Sequence, residues 1–307
     1  MSLVKVAKTA LGKRILESRE PKVVENPKSV LVMKGHRTSQ IVIQALNNIQ
    51  YALKKPFGIH FSRKNDIKPF ESETPLEFLC EKNDTSLFAI GYHTKKHPNT
   101  ITMGRLFDHH ILDMVELSIE QFKTLEDFKV EKCAVGAKPS IIFVGELFEM
   151  NETYRHLKNF FLDYFRGKEV KVIDLTGLEH VIVFTATEAN IFMRTYRPLL
   201  LKSGNKLPRV ELEEMGPRFD FKVGRTKFAH EELMKRATRQ PKETMKRKKK
   251  NIEFNALGEK YGRVYVDHQD LSKLQTRKVK ALKKYLSKKE DGEEKQAKKQ
   301  KMDVDSE

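Results

Sequence analysis

The densest group of side chains able to hold a metal or move a proton is FDHHILDMVE, which contains Asp108, His109, His110, Asp113 and Glu116. If the run is helical, only residues three or four apart share a face, so His109 or His110 pairs with Asp113 and a third ligand is left unassigned. The reading adopted is a helix N-terminus, with Asp108 as cap and Ile111, Leu112, Met114 and Val115 on the buried side. No GxxxxGKS or GxxxxGKT loop, GxGxxG turn, GxSxG elbow or HExxH pair occurs. The expectation is a protein that is not an enzyme and needs no cofactor or metal.

Anion binding is the chemistry that the composition does supply. The 307 residues carry 59 Lys and Arg against 42 Asp and Glu, a formal net charge of +17. Such an excess gains affinity for phosphates by releasing their counterions. The charge is uneven, since the residues after Gly224 hold 25 basic and 14 acidic side chains. Three runs there stand out: MKRKKK (Met245 to Lys250), TRKVKALKK (Thr276 to Lys284) and KQAKKQK (Lys295 to Lys301). The first and last suit a solvated tail with a nuclear-import signal. Between them, YGRVYVDHQDLSKLQTRKVKALKK interleaves Tyr261, Val264, Tyr265, Val266, Leu271, Leu274, Val279 and Leu282 with charges, which suits a docking segment. We expect an extended piece followed by a basic helix from near Asp270, ordering on binding.

Other classes are excluded early. No run approaches eighteen uninterrupted apolar residues, and Lys and Arg break up any N-terminal signal core, so neither a membrane span nor secretion is expected. Cys80 and Cys133 stand far apart without ligand-spaced companions and read as core thiols rather than a disulfide or zinc site.

The elements that would position the basic groups alternate from Lys28 to Gly224. SVLVMKG is a strand that leads through polar HRTS into a helix capped by Thr38 or Ser39, with Ile41, Ala45, Ile49 and Leu53 at helical spacing. SLFAIGYH and NTITMGRLFD are strands joined by the basic turn TKKHP. The order then repeats: SIIFVGE as a strand, a helix from Asn151, KEVKVIDL as a strand, and HVIVFTAT with NIFMRTYR as a hairpin. We read a duplicated α/β unit of about one hundred residues, the first copy enlarged by FGIHFSRKNDIKPFESETPLEF. PRVELEEMGPRFDFKVGR closes the body as two strands around Gly216-Pro217. Its Arg209 and Lys222 suit cross-strand pairs with Glu211, Glu213 or Asp220, whereas Arg218 and Arg225 suit either such pairs or phosphate contacts.

Taken as blocks in order, KSVLVMKG, LKKPFGIHFSRKNDIKPFE, SLFAIGYHTKKHPNTITMGRLFDHHILDMVEL and LPRVELEEMGPRFDFKVGR resemble the Brix-domain proteins of eukaryotic ribosome biogenesis. The resemblance runs from Ser29 to Gly224. It implies a Brix fold, two α/β halves (about 29–135 and 139–224) similar to each other and to anticodon-binding domains of aminoacyl-tRNA synthetases. A basic N-terminal arm (1–28) and a basic, largely flexible C-terminal extension (225–307) flank it. REPK at Arg19 to Lys22, ELEEMGP, and the tail segments YGR and LSKLQTRK narrow the likeness further. They imply a nucleolar, non-catalytic assembly factor for the large ribosomal subunit. Its implied partners are 5S rRNA and pre-ribosomal RNA, the regulator of ribosome synthesis protein as heterodimer partner, and the ribosomal proteins of the 5S particle. The RNA-contacting residues we select are Arg63 and Lys64, Lys95 and Lys96 at the hairpin tip, Arg218 and Arg225 in the closing motif, and Lys273, Arg277 and Lys278 in the arm. The alternative is a nucleolar protein-interaction scaffold whose tail serves only import and retention.

Overall fold

The computed structural model describes residues 7–20, 22–168, 170, 173–175, 177–204, 207–242, 250–255, 257, 259–268, 288–289, 291–296 and 298. Two compact units divide the chain, Met1–Met245 and Lys246–Glu307. Elements of the first are α1 (Ala10–Arg19), β1 (Val30–Gly35), α2 (Gln40–Asn48, prolonged by a π-helical turn, Ile49–Lys54), β2 (Gly58–Asn65), α3 (Thr74–Asn83), β3 (Leu87–Tyr92), β4 (Thr100–Phe107) and β5 (His110–Lys123). There follow β6 (Ser140–Val144), α4 (Leu147–Met150), α5 (Glu152–Phe165), β7 (Val181–Ala186), β8 (Asn190–Leu201), β9 (Arg209–Glu214), β10 (Arg218–Lys227) and α6 (Glu231–Ala237). The second unit contributes a short antiparallel pair, β11 (Ile252–Phe254) with β12 (Lys260–Gly262).

Sheet order explains the repeat. The strands run β2-β1-β3-β4-β5-β10-β8-β7-β6, with β9 added beside β8. The parallel pair β1/β3 continues antiparallel through β4 to β5, and the parallel pair β6/β7 continues antiparallel through β8 to β10. Each half therefore presents the same four-strand order in mirror sequence, and antiparallel pairing of β5 with β10 fuses them. One sheet results, so the two copies share a core.

Alternation on the strands sorts that core into two layers. Val30, Val32, Leu87, Ala89, Ile101, Met103, Val115, Leu117, Phe184, Phe219 and Phe221 face α2 and α5. Leu31, Met33, Phe88, Ile90 and Met114 face α3 through Leu76 and Cys80. Helix α5 starts at Asn151, whose side chain accepts from the Thr153 amide, and buries Leu157, Phe160, Phe161, Tyr164 and Phe165. Each large apolar side chain so buried contributes about 1.5–3 kcal/mol before entropy is counted. Helix α2, capped by Ser39, lies so close to β3 that a Cβ on Gly91 would stand 2.3 Å from Val42 Cγ1.

Three expectations require correction. FDHHILDMVE is a turn and a strand, not a helix start: Asp108 and His109 take positive φ (51° and 66°) and reverse the chain from β4 into β5. Ile111, Leu112, Met114, Val115 and Leu117 are all buried because both faces of β5 are covered, and this erases the alternation that would have marked a strand. KEVKVIDL holds no strand among its described residues, since β6 pairs directly with β7 and the position outside β6, which β2 fills in the other half, is not used by them. The two closing strands do not pair with each other. Strand β8 is long enough to hold both, β10 along Asn190–Met193 and β9 along Tyr196–Leu201.

Candidate nucleic-acid interface

Three parallel strands, β2, β1 and β3, end side by side, with Lys34 of β1 in register with Lys64 of β2 and with Gly91 of β3. Arg63 and Lys64 are the exposed penultimate residues of β2, and Lys95 and Lys96 are exposed in the turn that follows β3. The fold thus brings these four selected residues to one end of one sheet, where carboxyl ends of parallel strands commonly build ligand sites.

The turn that carries Lys95 and Lys96 is held from both sides. The Thr94 amide donates to the His97 carbonyl at 3.0 Å, and the His97 amide donates to Thr94 Oγ1 at 3.0 Å. The Asn99 amide donates to His93 Nδ1 at 3.1 Å, which makes that nitrogen an acceptor, and the His93 amide donates to the Arg37 carbonyl at 2.8 Å. Ser39 Oγ donates to Asn99 Oδ1 at 2.7 Å, so the hairpin tip and the β1–α2 turn form one bonded piece.

Below the tip lies a buried carboxylate. Glu116 on β5 accepts from the Tyr92 hydroxyl at 2.8 Å, approaches His97 Nδ1 at 2.8 Å, and accepts from Arg225 Nε at 2.5 Å. Burial alone would raise its pKa, but bonds from Arg225 and Tyr92 outweigh that and hold it below the usual carboxylate value. Burial, with Glu116 adding to it, pushes the Tyr92 phenol up to about 12. The Arg225 guanidinium also lies over the Phe70 ring, 4.5 Å from its centroid.

Arg225, 46% exposed, therefore spends part of its charge on a buried partner. Arg218 is paired too, donating through Nε and Nη2 to both carboxylate oxygens of Glu214 at 2.7 and 2.6 Å across the Gly216-Pro217 bend. Both arginines are ion-paired, but with Glu214 and Glu116 rather than with Glu211, Glu213 or Asp220. Arg209 meets Glu211 on its own strand rather than across a hairpin, and Lys222 is exposed opposite Ser118 and Asn190. Lys273, Arg277 and Lys278, with the helix expected from Asp270, lie outside the described residues.

Three of the titratable groups of FDHHILDMVE go to separate partners. Asp113 is taken by Arg105, His110 approaches Glu77, and Glu116 belongs to the network under the tip. No three His, Cys, Asp or Glu side chains among the described residues converge on a metal position. Nor is any described helix long and apolar enough to cross a membrane. Sequence reasoning did not single out Glu116, Tyr92 and His97 as a unit, because partners 24 and 109 residues from Glu116 meet only once the strands are in register.

A fused pair of mirror-ordered α/β halves with a basic strand end defines the class: the chain belongs to the Brix-domain family, whose model matches residues 35–225. Its relatives are ribosome production factors. The Schizosaccharomyces pombe ribosome production factor 2 homolog is 44% identical over 295 residues, covering 93% of each chain. The Bos taurus homolog is 48% identical over 256 residues, 83% of each chain, and the Drosophila melanogaster homolog is 45% identical over 287 residues, 92% of this chain and 89% of that one. A role in ribosome biogenesis follows from this membership.

Proposed function

We propose that the chain is a non-catalytic assembly factor for the large ribosomal subunit, acting in the nucleolus by binding RNA and protein. In this reading it brings 5S rRNA, with its ribosomal proteins, into the pre-ribosome as heterodimer partner of the regulator of ribosome synthesis protein. The observation that carries the RNA-binding part is the set Arg63, Lys64, Lys95 and Lys96, exposed together at one sheet end without carboxylate partners among the described residues. Lys273, Arg277 and Lys278, in the basic C-terminal sequence, are proposed as further phosphate contacts. Arg218 and Arg225, half-neutralised by Glu214 and Glu116, make weaker contacts and chiefly shape the seam.

The test is a salt-titrated binding assay of the chain, alone and with that partner, against 5S rRNA and an unrelated structured RNA of equal length. A preference for 5S rRNA that persists at higher salt supports the reading. Equal, steeply salt-sensitive binding to both RNAs would place specificity in the protein partners, and RNA affinity unchanged on removing residues from Thr226 onward would favour the scaffold for the tail.

A further inference from the structure

Across its sheet the first unit matches arginines with carboxylates. Arg105 meets Asp113 and Asp163, Arg194 meets Asp220, Arg197 meets Glu131, Arg209 meets Glu211, Arg218 meets Glu214 and Arg225 meets Glu116. Lys123 and Lys222 on β5 and β10 have no such partner among the described residues, but only at the carboxyl ends of β1, β2 and β3 do several such cations, arginines included, stand together. Lys34 is half-buried in register with Lys64, Arg37 is exposed in the turn after β1, and Arg63, Lys95 and Lys96 stand beside them. No ion pair to a carboxylate links any of these six among the described residues. His60, on the strand next to Lys34, has its pKa lowered by burial and by the Lys34 charge.

We infer that this strand end binds the phosphate backbone of double-stranded RNA, with Lys34 and Arg37 of the β1–α2 junction as contacts beside Arg63, Lys64, Lys95 and Lys96. The inference rests on the RNA-binding reading above and adds the site and the form of RNA. Uncompensated charges carried on a rigid frame bind without the cost of ordering the backbone, and the bonds from His93 to Arg37 and from Ser39 to Asn99 supply that frame. Proteins capture single strands by stacking bases on aromatic rings. Among the described residues this end offers no free phenol or phenyl ring: the Tyr92 hydroxyl is bonded to Glu116, Phe61 and Phe70 pack against the core, and Phe107 lies at the opposite end of β4. Cations on a fixed frame without a phenyl, phenol or indole platform, beside the smaller imidazoles of His36, His60 and His93, suit the duplex, which is recognised by its shape and its backbone.

The experiment uses the full chain, with a short blunt RNA duplex and one of its strands alone as probes, in anisotropy titrations over a range of salt. One variant carries Arg37→Gln, Arg63→Gln, Lys64→Gln and Lys95→Gln. A control loses the same charge elsewhere, through Lys8→Gln, Lys13→Gln, Arg14→Gln and Lys129→Gln, and Arg37→Glu is tested singly. All of these side chains are exposed, so folding is retained and is verified by thermal melting. The site variant should bind the duplex at least about tenfold more weakly than the control, with a log-log salt slope flatter by about 3 to 4, while single-strand binding stays unchanged. Equal losses in variant and control, equal losses on duplex and single strand, or duplex binding untouched by the variant would overturn the inference and leave RNA binding standing. Failure of the wild-type chain to bind either probe would instead overturn the RNA-binding reading itself.

Discussion

Glu116 and Arg225 stand 109 residues apart in the chain and meet across β5 and β10, the seam that fuses the two halves. The carboxylate side chain is 1% exposed, so its charge depends on the donors around it. Arg225→Ala leaves that carboxylate buried with Tyr92 and His97 alone and should cost about 1–3 kcal/mol in urea unfolding. Adding Glu116→Leu removes the stranded charge and should return part of the loss. Strictly additive losses in the double-mutant cycle would sink the assignment.

A second buried pair braces α5 to the sheet. Arg105 donates through Nε to Asp113 Oδ1 at 2.9 Å and through Nη1 to Asn159 Oδ1 and Asp163 Oδ2 at 3.0 and 3.1 Å, and Lys28 reaches the same Asp163 at 2.5 Å. Burial would raise the Asp163 pKa, but Lys28 and Arg105 hold it below its ordinary value. Arg105→Met strands Asp113, while Asp163 keeps Lys28, and should destabilise by about 3–5 kcal/mol. Arg105→Met with Asp113→Leu should lose clearly less, because the more deeply buried charge goes with its partner. Chemical denaturation of the three proteins decides it.

Much of this architecture is legible in the chain. The cap at Ser39, the start at Asn151 and the strands Val30–Gly35 and Ser140–Val144 each rest on local signals, and the structure has all of them. Failures occur where tertiary context overrides the local pattern. On α2 the buried face runs through Val42, Ala45, Leu46 and Ile49, while Ile41 is 42% exposed, because Gly91 lets that face press onto β3. Strand β5 loses its alternation because both of its faces are covered. At the site, basic residues were visible as residue types, but which of them keep their charge free depends on Glu214 and Glu116, one near in sequence and one remote.

Lys54 provides a pH test. The residue is 3% exposed, its ammonium group donates to the Tyr164 carbonyl at 2.6 Å, and burial lowers its pKa from 10.5 to about 8. Between those values the unfolded chain binds more protons, so this group makes stability rise with pH, by at most about 1.4 kcal/mol per unit. Cys80, raised by burial to about 11, opposes this above pH 9, where its unfolded thiol ionises. Between pH 8 and 9 the wild type should therefore gain roughly 1 kcal/mol on Lys54→Met. Parallel stability curves in that window would show that Lys54 is charged in the fold as in the unfolded chain.

His180 gives the acid counterpart. It is 2% exposed, its Nε2 has no partner among the described residues, and burial lowers its pKa from 6.5 to about 4 despite a bond with the Ala137 backbone. The folded chain keeps the ring neutral while the unfolded chain takes up the proton, so this contribution is present above pH 6.5 and is lost as pH falls toward 4. His180→Leu removes both the titration and the unpaired nitrogen, and should leave stability at pH 7 changed by less than about 1 kcal/mol. Carboxylates that weaken the fold in acid act on both proteins alike, so the difference between them isolates the imidazole. By pH 4.5 the variant should be more stable than the wild type by about 2 kcal/mol relative to its standing at pH 7. Urea midpoints at the two pH values measure this directly, and a difference that does not change with pH would mean that the ring takes up its proton as readily in the fold as in the unfolded chain.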